Sequence, residues 1–273
     1  MSVANIALNR FGLGARPGQP APAEPRRWLL EQFGRYLAAP AQLAALPPSP
    51  TILGRLATAY AELRQVRAAA GAAAQPASAQ ATVAPAMSGT APAVQTAAQA
   101  NPGAMLLKPF RDDYIAAVAA RTAAAVASDT PFVERLVHFW SNHFAVSIDK
   151  IRVVGLAGAF EFEAIRPHVL GKFGDMLQAV EQHPAMLLYL DQAESVGPGS
   201  LLGQRAAMRL GANGRKVGLN ENLAREILEL HTLGVRSGYN QADVTEFARA
   251  LTGWTVGGLG PRMAQATPGY TFA

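Results

Sequence analysis

The chain has 273 residues, half of them hydrophobic, and a formal charge of +5, which is enough length and apolar content for a substantial core. It contains no Cys, which excludes a disulfide framework, a thiolate metal site and a cysteine nucleophile. Residues 1–107 hold eight Arg and three acids, whereas residues 108–273 balance sixteen basic against sixteen acidic residues; with only Arg205, Arg209, Arg215 and Lys216 approaching a basic cluster, nucleic-acid binding is disfavoured.

The N-terminus carries no basic residue before a short apolar part interrupted by Asn5, so no signal peptide is recognised. The cytoplasm is the default location, with a periplasmic or exported one as the alternative. No run of about 18 apolar residues predicts a membrane span.

Residues 1–67 read as short helices over Ala4 to Arg10, Pro25 to Ala38 and Thr51 to Arg67. In the last, Leu53, Leu56, Tyr60 and Leu63 recur at helical steps, and PPSP at 47–50 breaks the chain before it. Residues 68–107 contain no charge and are rich in Ala, Gln, Pro, Ser and Thr. Too few large apolar groups are present there to offset ordering entropy, so a long disordered Ala/Pro-rich insertion is expected. The alternative is a frayed Ala-rich helix over residues 60–74.

From Lys108 the pattern is helical and strand signals are weak, so the class is mainly α, a multi-helix bundle-like domain. Tyr114, Val118 and Val126 mark one helix ending near Ser128. Thr130 then caps the next, with Pro131 at its first position, where a missing N–H costs nothing. That helix, to about Val146, has apolar residues on two faces, Val133, Val137, Trp140 and Phe144 on one and Phe132, Leu136 and Phe139 on the other, and should be largely buried. Further helices are predicted over Leu156 to Arg166, Phe173 to Gln182, Ala185 to Asp191 and Glu221 to Thr232. A glycine-rich loop occupies 211–220. Gly234 is a C-cap, and Asn240 with Asp243 forms a capping box for the last helix. Three zones result: an N-terminal helical segment 1–67 packing on the main domain, a low-complexity linker 68–107, and the main helical domain 108–273.

Two polar stripes carry the chemistry. Glu134, His138 and Asn142 share one face of the Pro131 helix, with His143 about 100° away by the helical period. On the helix from Glu221, the residues Leu223, Ile227 and Leu230 form an apolar face, and Asn222, Glu226 and Glu229 lie opposite, with Arg225 one turn from Glu229. If the stripes face each other, His138, Glu226 and Glu229 form a carboxylate–imidazole cluster able to hold a divalent metal or share protons. The spacing matches neither a di-iron bundle nor a zinc HExxH motif. A structural network of Glu134, Asn142, His143, Asn222 and Arg225 is the favoured reading, with no cofactor predicted.

Five blocks, ALNRFGLGARPG at 7–18, HFWSNHFAVS at 138–147, HPAMLLYLD at 183–191, NENLAREILELHTLGV at 220–235 and GYNQADVTEFARALTGW at 238–254, resemble a large bacterial family known as domain of unknown function 1800. The resemblance implies a mainly helical protein without an established activity. It also implies a frequent genomic neighbour, an exported protein similar to phosphatases and sulfatases. Its pattern falls on Trp140, Asn142, His143, Asn220, Glu221, Asn222, Arg225, Glu226, Glu229, His231, Gly253 and Trp254. Members continue past the TGW block, so a C-terminally truncated member is expected. Two functions follow. An interaction or scaffold protein working with that exported phosphatase/sulfatase-like partner predicts a large exposed apolar surface. A metal-assisted or acid/base hydrolytic enzyme, with His138, Glu226, Glu229 and His231 as candidates, predicts those side chains converging within about 4 Å.

Overall fold

A computed structural model describes residues 2–73, 102–209, 218–259 and 269–272. Helix α1 (Val3–Arg10) is capped by the Ser2 hydroxyl, which accepts from the Asn5 amide. α2 (Pro25–Arg35) starts on proline, and α3 (Ser49–Ala73) and α4 (Pro102–Ala127) flank the residues left undescribed. The expected disordered insertion therefore falls largely outside the described residues. Both its ends, 68–73 and 102–107, are helical, which favours the Ala-rich helix over its N-terminal part.

The core begins with the predicted stripe of α3: Leu53, Leu56 and Leu63 are buried, Tyr60 packs half-buried beside them, and Ile52 joins them in the core. α5 (Pro131–His143) sends Val133 and Val137 into the same core, followed by Phe144. α6 (Ile151–Val154) and α7 (Leu156–Phe160) follow, and then the chain widens into a π turn over Glu161–Ile165 and tightens into a 3₁₀ turn over Arg166–His168. Gly158 lies against Ala117 of α4, and any side chain at 158 would collide with it. α8 (Phe173–Gln182) and α9 (Pro184–Tyr189) contribute Met176, Val180, Met186 and Leu187. The later elements are α10 (Leu201–Arg209), α11 (Asn222–Glu226) with a π turn over Ile227–Thr232, and α12 (Gln241–Ala250).

α12 carries the predicted capping box: Asn240 accepts from the Ala242 and Asp243 amides while Asp243 accepts from the Asn240 amide. Gly234, at φ +92°, supplies the left-handed residue that ends the preceding turn. One element escaped the sequence reading. Strands β1 (Trp254–Gly257) and β2 (Gly269–Phe272) pair antiparallel, with Trp254 opposite Phe272. The glycine-rich loop lies mostly outside the described residues, as do Arg215 and Lys216.

The N-terminal helices dock on α5 through Phe132, whose ring meets Phe11 and Phe33 edge-on at 5.8 Å each. The expected cap is corrected at this junction. Thr130 occupies the N-cap position of α5 but its side chain makes no capping bond. Instead the fully buried Gln32 of α2 accepts from the Phe132 amide at 2.7 Å, satisfying an orphan donor of the first turn. Replacing Gln32 by Ala should cost about 1–2 kcal/mol, the worth of a helix cap or a buried hydrogen bond. Urea denaturation followed by circular dichroism checks this, and an unchanged midpoint would show that Gln32 does not cap α5.

Candidate functional site

α5 does not present its polar stripe to one environment. Glu134 is buried, His138 half-buried and Asn142 exposed, so the stripe runs from core to solvent. Glu134 meets Arg166, which none of the sequence patterns singled out. Both guanidinium nitrogens Nη1 and Nη2 donate to its carboxylate, at 2.8 and 2.7 Å, and Arg166 is 0% exposed. Arg166 Nε donates to the Ala38 carbonyl, and the Tyr36 hydroxyl donates to the Arg166 carbonyl. Burial pushes the Tyr36 phenol well up, against the Arg166 charge that pulls it down. The 3₁₀ turn that follows the π turn places Arg166 here, and Glu161 from the π turn lies 4.0 Å from Nη1. Glu161 in turn accepts from Arg121 Nε at 2.6 Å and Ser141 Oγ at 2.7 Å. His138 sits beside this charged layer. Burial and then the Arg121 charge hold its imidazole below the ordinary value of 6.5.

A second polar centre joins α8 to the π turn after α11. His231 Nδ1 and Glu181 Oε1 are 2.7 Å apart and both side chains are buried. The second oxygen, Glu181 Oε2, is buried with no hydrogen-bond partner among the described residues. Burial raises the Glu181 carboxyl, the His231 bond lowers it, and the nearby Glu226 charge raises it again, leaving it above its ordinary range. His143 donates from Nε2 to the His231 carbonyl at 3.2 Å, the only role open to a ring nitrogen facing a carbonyl. The Phe144 ring packs against both imidazoles.

The π turn explains why His231 is inside. An α-helical continuation would put Leu230 on the face of Leu223 and Ile227. Widening to i→i+5 bonding, with Leu233 N–H donating to the Leu228 carbonyl, turns Leu230 out to 58% exposure and brings His231 in at 5%. The expected apolar placement of Leu230 is corrected accordingly.

The remaining candidates divide between surface and turn. Glu229 and Glu221 flank Arg225, at 3.2 and 3.1 Å. Glu221 also accepts from Gln241 and Thr245 and so ties α11 to α12. Asn220 donates to the Leu190 and Asp191 carbonyls, while its Oδ1 accepts from the Asn222 amide. Glu226 thus neighbours Glu181, Glu229 pairs with Arg225, and His138 lies against Arg121 and Glu161. No group of three or more His, Asp or Glu side chains is gathered for a metal ion among the described residues.

Sequence reasoning also passed over a half-buried carboxylate. Glu163 accepts from the Ser49 amide and hydroxyl and from His183 Nε2 at 3.1 Å. Burial would raise it, but the bonds from His183 and Ser49 prevail and hold it below its ordinary range. A nucleophilic triad needs the imidazole between hydroxyl and acid. Here the acid is central, and His183 Nδ1 is occupied by the Ala185 amide at the start of α9. The arrangement caps two helices rather than activating Ser49. The missed signals were a carboxylate one turn from an apolar position in α8, Glu181 after Leu177, and charged residues on either side of Ile165.

The chain belongs to the family described as Protein of unknown function (DUF1800), whose family model matches residues 6–273. No curated protein and no solved structure matches it.

Two outcomes are expected from these networks. Arg166→Ala leaves the Glu134 charge buried alone and should destabilise by about 3–5 kcal/mol in urea, whereas Glu134→Leu with Arg166→Met should recover most of that. Equal loss in both variants would show that the pair is not self-compensating. For His138, a folded-state pKa below 6.5 means that its contribution is full above about 6.5 and is lost as pH falls through the lowered value. Urea midpoints should therefore drop less for His138→Gln than for the natural chain as pH is taken below 6.5, and parallel curves would contradict it.

Proposed function

We propose that this DUF1800 chain is an interaction protein that docks a protein partner where α5 meets the π turn after α11. The observation that carries the reading is the apolar surface left open there. α5 was expected to be buried on two faces, yet Phe139 is 58% exposed. Phe139 packs edge-on against Trp140, whose ring reaches Phe173 at 5.5 Å. Across the His143–His231 contact, Leu230, Leu233 and Val235 are exposed as well. Isolated surface leucines need no explanation, but large apolar groups gathered around one buried polar centre are the mark of an interaction surface. Aromatic side chains with little rotamer entropy are the residues that dominate such surfaces.

The partner this reading favours is the exported phosphatase/sulfatase-like neighbour that the family resemblance implies. The buried Glu181–His231 pair then serves as support: it fixes the π turn that turns Leu230 outward. The second reading, an acid/base or metal-assisted hydrolase, draws on the raised carboxyl of Glu181 and its unpartnered oxygen. It places the chemistry at Glu181 and His231, with Glu226 nearby, and assigns no shared site to His138 and Glu229.

The purified chain and its purified phosphatase/sulfatase-like neighbour should co-elute in size-exclusion chromatography. Phe139→Asp or Leu233→Asp should abolish co-elution while leaving the melting temperature nearly unchanged, since both positions are exposed. Separate elution of the natural proteins at tens of micromolar overturns the docking reading. Hydrolysis of a chromogenic ester or phosphate that is lost in Glu181→Gln would establish the hydrolase instead.

A further inference from the structure

A cleft of about 360 Å³ opens between the loop after α1, α2, the end of α4 and α5. Its size lies in the range of small-molecule pockets. Leu8, Leu13, Trp28 and Val126 make its walls mostly apolar. Arg16, Arg35 and Arg121 line it with a single acid, Asp129.

The cations are only partly neutralised. Arg121 uses Nε on Glu161, and its two terminal nitrogens carry no hydrogen bond among the described residues. Arg35 makes no ion pair among them, and its one bond is a long 3.4 Å donation to the Glu31 carbonyl. Arg16 is fixed by donation to the Ser128 carbonyl, with its own amide donating to Gln19 Oε1. His138 adds an imidazole that burial, and then the Arg121 charge, hold below its ordinary value. A concave, low-dielectric wall with unbalanced positive charge concentrates anions.

The loop is held ready for a ligand. Arg135 of α5 donates to the Asn9 and Gly12 carbonyls at 3.2 and 2.9 Å. The Gly14 amide donates to the Leu8 carbonyl at 3.1 Å, and Gly14 adopts φ +96°, a conformation that strains any other L residue. Such fixed walls lower the ordering cost of binding.

We propose that this cleft binds a small amphipathic anion, a carboxylate or phosphate on an apolar, ring-bearing body. Arg35 and Arg121 take the acid group in the bidentate geometry that guanidinium favours, and the body lies against Trp28 and Val126. Inorganic phosphate alone leaves the apolar walls wet, and a neutral ring leaves the guanidinium groups unanswered. The proposal is independent of the protein-docking reading, whose residues lie elsewhere.

Isothermal titration of the whole chain at low salt with phenylacetate and phenyl phosphate tests it, with inorganic phosphate and benzyl alcohol as controls. At least one aromatic acid should bind one-to-one and about tenfold more tightly than both controls, the worth of one charge-assisted hydrogen bond. The tighter of the two names the acid group. Arg35→Glu, at an exposed position, should weaken that binding by about tenfold or more with an unchanged melting temperature. Trp28→Phe should remove the fluorescence change on binding. Neither acid exceeding the controls, or Arg35→Glu folding normally and binding as the natural chain does, overturns the proposal.

Discussion

The ion pair between Glu134 and Arg166 is the constraint on which the rest of the structure depends. Removing two charges from water costs several kcal/mol per ion, and attraction compensates only when the geometry is good and the remaining hydrogen bonds are made. The first condition is met, and the second in part. The carboxylate receives two parallel donations, and Arg166 Nε finds the Ala38 carbonyl. Such a pair adds little net stability over a well-packed apolar substitute. What it does is tie α5, the 3₁₀ turn at Arg166 and the end of the N-terminal helices together, since separating α5 from that turn strands two buried charges.

That alignment propagates outward through carboxylates. Glu161, four ångströms from Arg166, hands the electrostatics on to Arg121 and Ser141. Arg121 adds to burial in lowering His138, and it lines the cleft. The two π turns do comparable work. Each interrupts a helix with one extra residue per turn, and each carries ionisable groups of a polar network, Glu161 and Glu163 in the first, His231 in the second. A π turn forfeits regular α bonding, so it persists where side-chain contacts outweigh that loss. Here the compensating contacts are the Arg121, Ser49 and His183 bonds to the first and the Glu181 bond to the second.

Local signals were legible and non-local ones were not. The stripe of α3, the limits of α8 and the capping box of α12 depend on residues within one or two turns, and the chain follows them. The family itself was legible because its motifs are contiguous blocks. The partner of Glu134 lies 32 residues away and the acceptor for Phe132 lies 100 away. Periodicity carries no information on such pairings. Leu230 was misplaced for a different reason: helical phase was extrapolated through a segment whose pitch changes. The hairpin of β1 and β2 consists of four-residue strands with glycine at a paired end, and offers too little alternation to be read. The polar stripes do not form one network: Glu134 pairs with Arg166, Glu229 with Arg225, and Asn142 is exposed. The cluster expected if they faced each other does not form: Glu134 takes Arg166 as its buried partner, while Glu229 of the second stripe pairs with Arg225 on its own segment and Glu181 bonds His231, outside that stripe.

The two surfaces left open lie on adjacent residues of one helix, since His138 lines the cleft and Phe139 stands on the apolar face. Adjacent positions on an α-helix point about 100° apart, so a single rigid helix serves two different environments. Coupling between them would need α5 to move as a body, because a packed helix has discrete arrangements rather than a continuous range. Such a motion would break the Glu134–Arg166 pair at its centre, and no second acid of equal geometry stands ready: Glu161 approaches Arg166 only at 4.0 Å. Any transmission between the cleft and the apolar face through α5 would have to overcome the loss of that pair.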